Sequence, residues 1–317
     1  MRRWLAAGLS AALLGATGVA ASAQQMGVWQ RPTASGPTYV GEGDLRPGAV
    51  MYWGTRSYNA AYATGSNPAM ELFRESDSTY ATFNILTSGA MDDAGATTFC
   101  SGTTCHVVLM YNQAGSATWN LGVLGDVPGT IDVFGPIWVP NCQNGHSCLK
   151  VTPSTRALAA LHGPTFTPAT GVETVTLVFE SLYPGSGSVD ASYLITSQGF
   201  NGAGFSDNAT GNSNYITLEG AAVLFVITTP NLPTSYVGTL NGASSVITLN
   251  GTDTTGTATP NGSNSFPEIG AEDTDSTTSY YWMTGGIWDN LTTTSPQRQA
   301  NCSNQKAWWN LTAATCP

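Results

Sequence analysis

The feature that most limits the fold is the rhythm of the chain. Short runs of aliphatic, aromatic and β-branched residues recur, each stopped by Gly, Asn, Ser or Pro. Cys105–Tyr111, Glu173–Phe179 and Ala221–Thr228 are such runs. Ser245–Leu249, the pair Asn250-Gly251 and Thr252–Thr255 read as strand, turn and edge. Many strands at short spacing bury their apolar faces by stacking two sheets, so the rhythm predicts an all-β, antiparallel two-sheet sandwich. Helices are few and short. Thr155–His162 has room for two turns before Gly163-Pro164 stops it. Ser295-Pro296 supplies an N-cap with Pro at the first helical position, and the chain then runs from Gln297 to Trp309 without a breaker. On that helix Ala300, Asn304, Ala307 and Trp308 share one face. Trp308 and Trp309 read as packing residues rather than a sugar platform.

The start of the chain predicts export. Arg2 and Arg3 precede a small, apolar run from Leu5 to Ala20, and Ala21-Ser22-Ala23 is an A-x-A cleavage signal before Gln24. A membrane anchor is the weaker reading, because the run falls short of the ~20 strongly apolar residues a span requires. The predicted division is a signal peptide over 1–23, a Gly- and Pro-rich extended lead-in over 24–48, and a single domain over 49–317. No internal repeat interrupts it, and the Thr-, Gly- and Asn-rich stretch 251–265 has loop length. Only 9% of residues are charged and the net charge is −10. A nucleic-acid partner is excluded on this ground, since phosphate binding requires clustered Lys and Arg. No later segment is apolar enough to span a bilayer. The expected location is outside the cytoplasm, extracellular or periplasmic.

Six cysteines lie after the cleavage signal, at Cys100, Cys105, Cys142, Cys148, Cys302 and Cys316. An even count in an exported chain implies disulfides. Local pairing is the simplest connectivity: Cys100–Cys105, Cys142–Cys148 and Cys302–Cys316. The rival reading, a metal site with His146, has one His and lacks zinc spacing. No metal or cofactor is expected.

Between Tyr52 and Leu121 stand Arg56, Ala61-Tyr62, Arg74, Ser76-Asp77, Gly89, Asp92, Phe99-Cys100, Thr103-Thr104-Cys105 and Tyr111-Asn112-Gln113-Ala114-Gly115. In order and spacing this stretch resembles the start of the catalytic domain of the fungal-type α-L-arabinofuranosidase B family. Two departures are Asn112, where the family has Asp, and Ala114, where it has Ser. The resemblance supports the Cys100–Cys105 bridge. Gly238–Asp253 and Gly285–Asp289 look like strands of concanavalin-like jelly-roll domains, the fold of that family's catalytic domain.

The resemblance implies a glycoside hydrolase that releases arabinose from polysaccharide or other glycans. A retaining glycosidase uses two carboxyl groups about 5–5.5 Å apart, one as nucleophile and one as acid/base. The family's acid/base segment is matched by Ile269-Gly-Ala-Glu272-Asp273-Thr274, so Glu272 or Asp273 takes that role, with an acidic surface loop or a calcium loop as rivals. For the nucleophile one alignment offers Glu219; another places the position near Phe200-Asn201-Gly202, where no carboxylate stands. Glu173 and Glu180 are further candidates. The family's adjacent Cys-Cys pair is replaced by Gly185-Ser-Gly-Ser188. His106, His146 and His162 are isolated in the sequence, and no Gly-x-Ser-x-Gly elbow occurs. The alternative is a catalytically silent, lectin-like or structural surface protein, with Tyr281, Trp282 and Trp288 as rings for sugar stacking. Oligomeric state is not legible.

Overall fold

The computed structural model describes residues 39–123, 135–152, 161–167, 171–182, 191–193, 202–208, 213–219, 224–229, 231–259, 267–270 and 279–316. The expected signal peptide lies outside them. In chain order the elements are α1 (Glu42–Leu45), β1 (Met51–Gly54), β2 (Asn67–Arg74), β3 (Thr79–Ile85), α2 (Asp93–Phe99), β4 (Cys105–Met110), β5 (Leu121–Val123), β6 (Ile137–Gln143), β7 (His146–Val151) and β8 (Leu161–His162). There follow β9 (Glu173–Leu182), β10 (Ala191–Tyr193), β11 (Gly202–Asn208), β12 (Ser213–Glu219), β13 (Leu224–Thr228), β14 (Thr234–Leu240), β15 (Gly242–Leu249), β16 (Thr252–Ala258), β17 (Glu268–Ile269), β18 (Ser279–Asp289) and α3 (Ser295–Trp309).

Every strand pairing among the described residues is antiparallel. The larger sheet runs β16-β15-β14-β9-β18-β7-β6-β4-β5-β8-β17, with β1 on β18 and β2 between β3 and β4. The smaller sheet runs β10-β11-β12-β13. Leu218 of β12 is fully buried with Tyr236, Leu240 and Ile247 of the larger sheet. A Cβ on Gly256 of β16 would lie 2.6 Å from Leu224 of β13, so glycine permits the close approach there. The architecture is thus the expected antiparallel β-sandwich with few short helices.

The β15–β16 turn has positive φ at both Asn250 (51°) and Gly251 (91°), the backbone of a two-residue hairpin turn that Asn-Gly adopts with little strain. Strand β18 is the central register element. Its first part pairs with β7, its later part with β1, and β9 flanks its other edge throughout. The pairing shifts by one residue between Trp282 and Thr284. Such a bulge re-aims the side chains that follow.

Trp53, Trp282, Trp288 and Trp309 are among the largest fully buried side chains. Burying a ring of 150–250 Å² is worth about 4–6 kcal/mol of transfer free energy. Helix α3 covers the outer face of the larger sheet, where Trp309 and Cys302 pack with Cys148, Val178 and Met283. Its N-cap is Thr294, one residue before the expected Ser295: the Thr294 hydroxyl accepts from the Gln297 backbone N–H. Its buried residues are Arg298, Asn301, Cys302, Gln305 and Trp309, not the predicted face of Ala300, Asn304, Ala307 and Trp308. The polar members find partners. Arg298 pairs with Asp253 at 2.6 Å, and Gln305 donates to Glu42 at 2.9 Å. Apolar periodicity misassigns a face whose polar groups are satisfied by tertiary hydrogen bonds.

Two further expectations change. Part of the lead-in, residues 39–48, is not simply extended: it holds α1, and Glu42 is buried, accepting from Tyr52 Oη, Thr176 Oγ1 and Gln305 Nε2. Leu161 and His162 form strand β8, not the end of a helix, because β5 and β17 pair with them on either side. The rest of the predicted helix falls outside the described residues. All three locally paired disulfides are present.

Candidate active site

The residues of the resembling stretch serve the scaffold. Arg56 is buried: Nε donates to Tyr39 Oη at 2.9 Å, and Nη2 donates to Val40 O at 2.9 Å and Asn304 Oδ1 at 2.6 Å. Its guanidinium lies over the Trp308 ring at 4.7 Å. Arg74 pairs with Asp77 across the β2–β3 turn and donates to Phe99 O at 3.0 Å. Asp92 caps α2 by accepting from Gly95 N at 3.0 Å. Asn112 Oδ1 accepts from Tyr52 N at 2.9 Å and Ala114 N at 3.1 Å, while its Nδ2 donates to Ser116 O at 3.0 Å and Val50 O at 3.3 Å. A carboxylate has no donor for those two carbonyls, which is the physical reason for Asn rather than Asp here. Gln113 bridges Tyr58 N and Gly54 O, both at 2.9 Å.

The carboxyl groups fall into three places. Glu219 is the last residue of β12, opposite Gly202 in the register. Glu272 and Asp273 lie outside the described residues, in the connection from β17 to β18. The described residues that flank this connection are engaged. Tyr280 Oη donates to Gly270 O at 3.1 Å, and Glu268, buried, faces His162 at 3.6 Å. Burial first, and then the Glu268 carboxyl, pushes the Tyr280 phenol well above its usual range, so it stays a hydrogen-bond donor. His162 is therefore not isolated in space.

The third place is the end of β9. Glu173 stands opposite Asp289 of β18 and Leu240 of β14. It is completely buried, and neither carboxyl oxygen has a hydrogen-bond partner among the described residues. Burial first, and then Asp289, raises its pKa from 4.5 to about 8. Glu173 is thus a neutral acid at physiological pH, in a site closed to solvent. Glu180 lies an odd number of residues further along the strand, where alternation turns it to the opposite face, beside Tyr281. The sequence shows Glu173 and the strand ending at Asp289 separately, but their pairing joins residues 289 − 173 = 116 positions apart and leaves no local signal.

Of the three rings considered for sugar stacking, Trp282 and Trp288 are corrected: both are fully buried. Trp282 belongs to the main core. Trp288 packs with Tyr58 and Tyr52, lies under the Arg46 guanidinium at 3.7 Å, and donates to Arg46 O at 3.1 Å. Neither offers a face to a ligand. Tyr281 is half-buried against the α3 side of β18. His106 is buried, with Nδ1 at 2.9 Å from Gly135 O and Nε2 at 2.9 Å from Glu75 Oε1. His146 stacks on Trp308 at 4.5 Å, and its neighbours Cys142 and Cys148 are joined as a disulfide. Among the described residues no group of three or more His, Cys, Asp or Glu is arranged to hold a metal ion. No described helix is long and apolar enough to cross a membrane.

Known proteins similar to this chain agree in family. An α-L-arabinofuranosidase B of Aspergillus niger is 36% identical over 125 residues, 37% of this chain and 24% of that protein. The α-L-arabinofuranosidase B of Aspergillus kawachii is 36% identical over 84 residues, 26% of this chain and 16% of that protein. The matched part is thus about a quarter or less of the curated relatives. A solved α-L-arabinofuranosidase of glycoside hydrolase family 54, soaked with a cyclic sulfate inhibitor, superposes with a TM-score of 0.63 at 16% identity, over 85% of this chain and 66% of that one. An arabinofuranosidase complexed with arabinofuranosyl-α-1,2-xylobiose gives 0.61 at 16% identity, over 85% and 65%. The sequence match shows a resemblance to the α-L-arabinofuranosidase B family, and the superposition shows the shared fold. No family model matches the chain.

Proposed function

We propose that the protein is an exported α-L-arabinofuranosidase-like glycoside hydrolase acting on arabinose-containing glycans. The observation that carries the reading is the coincidence of local 36% sequence identity with a shared fold over 85% of the chain. The leader-like start and the three disulfides support an oxidising compartment, extracellular or periplasmic.

In this reading Glu219 is the nucleophile and Glu272 or Asp273 the acid/base. One carboxylate attacks the anomeric carbon as the other donates its proton to the leaving oxygen. The second group then takes a proton from water as that water displaces the nucleophile. Glu272 and Asp273 stand two and three residues after Gly270, so the Tyr280 hydrogen bond and the Glu268–His162 pair act as positioning groups for their segment.

The test is turnover of an aryl α-L-arabinofuranoside by the native protein beside Glu219→Gln, Glu272→Gln and Asp273→Asn. The expected result is activity in the native protein and losses of about 10²–10⁴-fold or more in Glu219→Gln and in one of the other two. Absence of turnover in native protein with its disulfides formed overturns the reading. A catalytically silent glycan-binding module then becomes the function. One observation favours that second reading: Arg56, Arg74, Asp92, Asn112 and Gln113 of the resembling stretch are all engaged in holding the fold.

A further inference from the structure

Six Asn-x-Ser/Thr triplets follow the cleavage signal, beginning at Asn208, Asn250, Asn261, Asn290, Asn301 and Asn310, and none has proline in the middle. In an exported chain such a triplet is an acceptor for an N-linked oligosaccharide. Asn208–Thr210 and Asn261–Ser263 reach outside the described residues. The fold sorts the remaining four. Two are closed. Asn301 is 8% exposed on the inner face of α3, beside the disulfide-bonded Cys302, and Ser303 Oγ donates to Gln299 O at 2.8 Å within the helix. Asn250 is half-buried in the β15–β16 turn. Its Oδ1 accepts from Ser235 N at 2.9 Å, and its carbonyl accepts from Thr315 N at 2.8 Å. An oligosaccharide on either would have to displace packed protein.

The other two are open. Asn290, Leu291 and Thr292 are all exposed just past β18. Asn310 and Thr312 are exposed just past α3, with Leu311 between them buried as an anchor. Both asparagines have positive φ, 58° and 53°. That turn backbone explains an asparagine at each position. It does not explain the threonine two residues later, whose hydroxyl makes no hydrogen bond among the described residues in either triplet. Leu291 is also among the exposed large apolar side chains, at 37%, on a chain with only 9% charged residues to hydrate its surface. A glycan on Asn290 would screen it. We propose that Asn290 and Asn310 are N-glycosylation sites and that the fold excludes Asn250 and Asn301. In the step, the asparagine Nδ2 bonds to C1 of an oligosaccharide carried on a lipid pyrophosphate. The C–O bond to the pyrophosphate breaks, one amide proton passes to a base of the transferase, and the lipid pyrophosphate leaves. The proposal rests on export of the chain and not on the proposed carboxyl pair. Asn290 lies about 33 Å along β18 from Ser279, where the connection carrying Glu272 and Asp273 enters, so a glycan there leaves that connection open.

The test expresses the full chain, with its own leader, in a yeast whose secretory pathway attaches N-glycans. Peptides of the secreted protein are treated with peptide-N-glycosidase in ¹⁸O-water, which converts each occupied asparagine to labelled aspartate, and are mapped by mass spectrometry. The expected result is label at Asn290 and Asn310 and none at Asn250 or Asn301. Thr292→Ala and Thr312→Ala keep each asparagine and its turn while removing the hydroxyl. Each is expected to lose the label at its own site, to keep it at the other, and to turn over the aryl arabinofuranoside as the native protein does. Secreted protein without label at Asn290 or at Asn310 overturns the proposal. Label at Asn250 or Asn301, or label that survives at a variant's own site, overturns it equally. Unlabelled chain retained inside the cell overturns export and this proposal together. Labels as expected with no turnover by the native protein support the glycan sites and overturn the catalytic reading alone.

Discussion

The buried acid at the end of β9 makes the most demanding prediction. Glu173 is wholly buried, its oxygens lack partners among the described residues, and Asp289 lies opposite. Its pKa rises from 4.5 in a solvated chain to about 8 in the fold. Between those two values the native state keeps a proton that the unfolded chain has released. Stability from this group is therefore fully present below pH 4.5 and is lost as pH rises towards 8. At about 1.4 kcal/mol for each pH step the loss across that window is on the order of 5 kcal/mol. Glu173→Gln removes the ionisable group while keeping the shape. The assay is guanidinium unfolding followed by Trp fluorescence, with disulfides intact, at several values from pH 5 to pH 8. Native protein is expected to lose about 3–4 kcal/mol relative to Glu173→Gln between pH 5 and pH 8. Parallel stability curves for the two proteins would refute the reasoning, because they would mean that Glu173 ionises in the fold as it does in water.

Three further outcomes are expected. Asn112→Asp replaces the donor to Val50 O and Ser116 O by an acceptor, and should cost about 2–4 kcal/mol at neutral pH, with partial recovery in acid as the new carboxyl takes up a proton; denaturation at two pH values checks it. Gly251→Ala forces a Cβ to 2.7 Å from Cys316 N at a φ of 91°, and should lower stability by about 1–3 kcal/mol, read as a fall in melting temperature. Replacing Cys302 and Cys316 by Ser opens a bridge of sequence separation 14, and should cost about 3 kcal/mol, read from the unfolding midpoint under non-reducing conditions.

The features legible in the sequence are those written in neighbouring residues. The strand runs around Glu173 and Ser245, the Asn250-Gly251 turn, the final helix and the three short-range disulfides all follow from local pattern, since turn backbone, strand propensity and short loop closure depend on residues close in the chain. The resemblance in the first third of the chain is local in the same sense. What depended on register between distant strands was not legible. Trp282 and Trp288 read as rings free for a sugar, yet pairing with β9, β7 and β1 fills both edges of β18, and packing of Trp282 in the main core and of Trp288 against Tyr52 and Tyr58 buries them. The polar face of α3 is inside because Glu42 and Asp253, far away in sequence, satisfy Gln305 and Arg298. Glu173 becomes a neutral acid only when Asp289 and Leu240 are laid beside it. Burial and pairing are properties of the assembled sheets, whose long-range contacts no local run of residues contains, and so the tertiary structure alone decided that Glu173, Trp282 and Trp288 are closed in.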